Sequence, residues 1–109
     1  MSGADLLEAW HEHLAKGRRR SPHTVRAYGA AAARLVSATG AEEWDDIAAL
    51  DGPALRRQLA ARRADGLGNA STARELSALK GFIAFAREQA GAAAGRWPGL
   101  RRPARGRTR

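Results

Sequence analysis

The 109-residue chain has no cysteine, so it carries no disulfide framework and no thiolate metal site. Aromatic residues make up only 6%, and Ile, Thr and Tyr are scarce. No alternation of the strand type runs long enough to build a sheet. Long apolar runs are missing too. Arg, Glu or Gly breaks each one well short of the ~20 residues that span a bilayer. The N-terminus lacks the continuous apolar stretch of a signal peptide. A soluble cytoplasmic protein without a membrane partner is the expectation.

Acids are absent from one region. Residues 96–109 hold Arg96, Arg101, Arg102, Arg105, Arg107 and Arg109 and no Asp or Glu. The whole chain has 19 basic and 11 acidic residues, a net charge of +8. With those six arginines set aside, 13 basic residues face 11 acidic ones, and residues 1–95 carry only +2. The basicity therefore belongs to the C-terminal end, and bulk charge alone does not make the body a nucleic-acid binder. The end itself is either a nonspecific phosphate-binding arm or a disordered terminus without a role.

What the chain does have is alanine, leucine and helical spacing. Hydrophobic residues make up 44%, much of it Ala, which favours helix but buries little area. Leu6, Leu7, Trp10 and Leu14 predict a first helix over 4–16, ended by Gly17. Arg18, Arg19 and Arg20 link it to a second helix. That helix is capped by Ser21, opens on Pro22, and is stopped by Gly40. Val25, Tyr28, Ala32, Leu35 and Val36 form its buried stripe. Gly29 inside it either permits close packing or is tolerated at a cost of about 1 kcal/mol.

The acidic segment 41–50 is expected to be a loop, with Trp44 and Ile47 pinned into the core. A third helix starts at Asp51 or Gly52, with Leu55, Leu59 and Ala60 inward and Arg56, Arg57, Arg62 and Arg63 outward. After the turn Asp65-Gly66-Leu67-Gly68, a fourth helix starts near Asn69 or Ser71 and runs to Ala90. Its stripe is Ala73, Leu76, Leu79, Phe82, Ile83 and Ala86, and Gly91 is expected to end it. The fold class is all-α: one four-helix bundle over 1–90, then an Arg-rich, disordered linker or tail over 91–109.

Two helix starts carry the chemistry. At Ser21-Pro22-His23-Thr24 the free N–H groups, the partial positive charge and three side-chain donors suit a phosphate. The same residues also fit plain helix capping. On the fourth helix, Ser71, Arg74, Ser77, Ala78 and Gly81 form a small, polar and basic stripe, flanked by Lys80 and Arg87. A groove-binding helix needs such a face, and an ordinary solvated face has the same composition.

No catalytic or metal constellation is expected. His11 and His13 point to different sides of a helix, and no carboxylate–histidine spacing of a metal site occurs. Tyr28, the one tyrosine, falls on the buried stripe with no base built for it.

In this order and separation, several segments resemble the N-terminal core-binding domain of XerC/XerD-type tyrosine recombinases. They are Ser21-Pro22-His23-Thr24 with Tyr28, Leu55-Arg56 through Leu59-Ala60, Arg63 to Gly66-Leu67, and Ser71-Thr72-Ala73-Arg74-Glu75-Leu76-Ser77-Ala78-Leu79-Lys80 with Phe82. The resemblance covers residues 4–90. It implies a SAM-like fold that clamps one face of a recombination half-site in DNA integration or recombination, including chromosome dimer resolution.

It also implies duplex DNA and a partner recombinase protomer as partners, with no cofactor and no small-molecule substrate. The DNA-facing residues it implies are Ser21, His23, Thr24, Arg26, Ser71, Arg74, Ser77 and Lys80. The tyrosine nucleophile and its arginine, lysine and histidine helpers are not found in this chain. Two alternatives stand beside this reading: a helical protein-interaction module, and a fragment of an active recombinase.

Overall fold

The structure, a computed structural model, describes residues 2–17 and 21–95. The expected link Arg18–Arg20 and the Arg-rich end 96–109 lie outside the described residues. Five helices follow one another: α1 (Gly3–Gly17), α2 (Pro22–Thr39), α3 (Trp44–Ala48), α4 (Gly52–Ala64) and α5 (Asn69–Gly95). Among the described residues there is no strand.

Local chemistry sets most of the boundaries. At the start of α1 the Asp5 carboxylate accepts from the Ser2 backbone N–H and hydroxyl, at 3.0 and 3.1 Å. The Ser21 hydroxyl caps α2 by accepting from the Thr24 backbone N–H at 3.1 Å. Gly40 closes α2 in the left-handed region (φ 70°), with its N–H donating to the Val36 carbonyl. A side chain is strained there and glycine is not. Asp51, not Gly52, caps α4 by accepting from the Ala54 N–H at 3.0 Å.

Two expectations about the elements are corrected. Residues 44–48 are a helix, not a loop. The carboxylate of Asp46 accepts from the Glu42 and Glu43 backbone N–H groups at 3.0 and 3.1 Å, which satisfies free donors in front of this short helix. The same two bonds hold the Asp46 carboxyl below its ordinary value. The last helix passes Gly91 and ends at Gly95. Glycine there costs helix stability but keeps its φ/ψ choice open, so it need not terminate the helix.

The core is one cluster around α5, which packs against α2, α3 and α4, while α1 packs on α2. Leu6, Trp10 and Leu14 from α1 meet Leu35 from α2, Ile47 from α3, and Leu79, Phe82 and Phe85 from α5. Each fully buried Leu or Phe contributes about 1.5–3 kcal/mol. Trp10, Phe82, Phe85 and Trp44 form an aromatic run, with Trp44 edge-on to Phe85 at 5.2 Å. His13 stacks on Phe85 at 4.4 Å, while His11 is exposed.

The α4 helix is the least integrated. It has no fully buried residue, and it leans Leu55 and Leu59 onto the core. Ala60, expected inward, is exposed. The Arg87 guanidinium of α5 donates to the carbonyls of Ala48 and Leu50, at 3.2 and 3.3 Å, and ties the end of α3 to α5.

Candidate nucleic-acid interface

The first turns of α2 and α5 face each other across a groove of about 280 Å³. The α2 side supplies His23, Thr24, Tyr28 and Arg34; the α5 side supplies Ser71, Arg74 and Glu75; α4 and the turn after it add Arg62 and Leu67. Small Ala27, Ala30, Ala31 and Ala78 keep the groove open.

Of the eight residues expected to face DNA, the groove brings together four: His23, Thr24, Ser71 and Arg74. His23 and Arg74 are exposed, and Thr24 and Ser71 are half-buried. Ser21 is exposed beside it, but its hydroxyl is engaged in the cap and donates to Thr24 Oγ1 at 3.0 Å. Ser77 and Lys80 are exposed on α5 and do not line the groove. Arg26 is exposed too, but lines a different groove with His11 and Ala15 of α1.

At the floor lies an ion network. Glu75 is a buried acid, and its carboxylate takes two bonds from Arg34: Nη2 to Oε1 at 2.6 Å and Nε to Oε2 at 3.2 Å. Such a bidentate pair is among the stronger polar contacts a protein makes. Arg62 brings its Nε to 3.5 Å from Glu75 Oε2 and its Nη1 to 3.8 Å from Asp65 Oδ2. Its buried Nε makes no hydrogen bond among the described residues.

The network corrects one detail of the sequence reading: Arg62 does not face outward but joins Arg34 at the buried Glu75. The buried stripe of α5 runs through Thr72, Glu75, Leu79, Phe82 and Ala86. Ala78, expected on the open face, is buried, and Ala73, expected inside, is exposed. The signal was available: Glu75 sits four residues before Leu79 and seven before Phe82, so it shares their face.

Among the described residues, no group of three or more His, Asp or Glu side chains is placed to hold a metal ion. Among the described residues, no helix is long and apolar enough to cross a membrane. Tyr28 is half-buried against the core.

These features define a small helical domain with a basic, donor-rich groove between two helix starts. The model of the phage integrase N-terminal SAM-like domain matches residues 7–90, and the chain belongs to that family. The tyrosine recombinase XerC of Rhodospirillum centenum is 36% identical over 88 residues, which cover 76% of this chain and 26% of that protein. Its counterpart in Nitrobacter winogradskyi is 37% identical over 82 residues, covering 70% of this chain and 25% of the relative. The Azotobacter vinelandii XerC is 37% identical over 79 residues, covering 72% and 26%. The chain thus spans about a quarter of the length of these relatives. No solved structure gave a significant match.

Proposed function

We propose that this chain is a DNA-binding core-binding domain of a site-specific tyrosine recombinase of the XerC kind, acting in DNA integration or recombination. Family membership implies DNA binding in general. The observation that carries the reading here is the groove, in which His23, Thr24, Ser71 and Arg74 converge from two helix starts. Helix N-termini offer free N–H groups to phosphate, and Arg34, Arg62 and Arg74 line the same groove with one carboxylate, Glu75. In this reading those four residues form the centre of the contact. Ser21 lies beside it, while Ser77 and Lys80, exposed on α5, and Arg26, on the groove shared with α1, are outer contacts of the same reading. The partners are duplex DNA and a second recombinase protomer. The domain holds DNA in place and carries no chemical step of its own, and Tyr28 serves as packing.

The test is binding of the full chain to a short mixed-sequence duplex across about 50–200 mM salt, beside the Arg74→Ala/Lys80→Ala double variant. About five phosphate contacts give a log–log slope near −4.5, and losing two of them reduces its magnitude by about 1.8. Equal binding by the variant would move the interaction to the arginines of residues 96–109 and overturn the reading.

A further inference from the structure

The groove floor contains a device that a simple charged patch does not need. Glu75 places a negative charge where a polyanion would come to rest, and it is 6% exposed. By Coulomb's law alone it weakens binding of DNA. Yet the carboxylate grips Arg34 through Nε and Nη2 together, which fixes the plane of the guanidinium. That grip leaves the two Nη1 donors uncommitted. The Arg34 side chain is 36% exposed and lines the groove.

Arg62 adds a second guanidinium beside the same carboxylate, with its Nη1 3.8 Å from the exposed Asp65 carboxylate, so the Glu75 charge is shared between two arginines. The rim around it supplies donors: Arg74 outright, and the Thr24 and Ser71 hydroxyls. Among the described residues, the one acid lining the groove, Glu75, is already held by arginine. An anionic oxygen is the ligand that such a pocket fits.

We propose that Glu75 is a positioning residue: it holds the Arg34 guanidinium so that its free N–H edge meets a backbone phosphate of duplex DNA in the groove between α2 and α5. The inference rests on the DNA-binding reading above and names the residue that organises that contact. Arg34 is the touching group, and Glu75 acts through it.

Electrostatics and positioning predict opposite signs for Glu75→Gln. Removing a negative charge near a polyanion tightens binding if charge alone matters. Losing the grip on Arg34 weakens it if positioning matters. The full chain is titrated with a short mixed duplex at several salt concentrations, with thermal melting of each variant alongside. Arg34→Ala is expected to weaken binding about tenfold, the scale of one charge-assisted bond, and to cut the salt slope by about 0.9. Glu75→Gln is expected to weaken binding despite its added charge. In the Arg34→Ala background the same change should no longer weaken it.

Arg34→Lys provides the arm that does not depend on the buried acid. It keeps the charge and loses the two-pronged grip, so it should bind several-fold more weakly than the parent. Lysine binding as well as arginine, or Glu75→Gln binding more tightly in a folded protein, overturns the inference and leaves the DNA-binding reading standing. A parent chain with no salt-sensitive DNA binding overturns both.

Discussion

The indole N–H of Trp10 on α1 donates to the backbone carbonyl of Tyr28 on α2, 3.4 Å away. The same ring packs on Phe82 and Phe85 of α5, so one side chain joins three helices. Trp10→Ala should cost about 3–5 kcal/mol, the range for removing a buried Trp. Trp10→Phe keeps most of the packing and loses the bond, so its cost should be smaller. Urea denaturation of both variants checks the ranking.

Ser21 and His23 should separate stability from binding. The Ser21 hydroxyl caps α2, so Ser21→Ala should lower stability by about 1 kcal/mol. His23 is exposed on the groove rim, and His23→Ala should leave the melting temperature nearly unchanged and weaken DNA binding. Thermal melts paired with DNA titrations test both.

Arg87 bridges two carbonyls at the end of α3. Arg87→Ala should destabilise the chain by about 1 kcal/mol, and amide hydrogen exchange should speed up first in residues 44–50. Uniform exchange across the chain would show that the bridge carries no local weight.

Asp46 sets an acid limit on the same segment. Its folded carboxyl titrates below the ordinary value, pulled down by the Glu42 and Glu43 N–H groups. The stability it contributes is therefore fully present above the unfolded carboxylate value. That stability is lost as pH falls through the lower folded value. Asp46→Asn should destabilise the chain at neutral pH, and the gap to the parent should narrow in strong acid. Urea midpoints taken from neutral pH downward follow it.

Gly29 offers a gain. A Cβ built there meets nothing within 4 Å. Gly29→Ala should raise stability by about 0.5–1 kcal/mol through helix propensity, read as a higher urea midpoint at unchanged slope.

The helix order, the Ser21 cap, the Gly40 stop and the core residues Leu6, Trp10, Leu35, Ile47 and Phe82 follow directly from spacing and capping chemistry. The α3 helix escapes that reading because five residues make barely more than one turn and show no period. Its acids look like solvated loop until Asp46 is seen to bond backward. The buried face of α5 lies one residue away from the one its apolar spacing suggests, because alanine stands on both sides of that helix: Ala73 and Ala78 look alike in sequence, and one is exposed while the other is buried. Half of the expected contact residues meet in the groove because two helix starts were identified correctly. The spacing of α5 puts Glu75 on the face of Leu79 and Phe82, but its pairing with Arg34 and Arg62 is not legible, because an ion network across three helices has no signature in the spacing of any one of them.

The 27 residues of α5 span about 40 Å at 1.5 Å per residue. Ser71 and Arg74 ride on its first turns, its middle forms the wall of the core, and its far end stands at Gly95. The whole is a beam braced at mid-length by Phe82, Ile83 and Ala86. One continuous backbone thus joins Gly95 to Arg74 through that brace, and Gly91 is the point between the brace and the far end where the beam bends most easily.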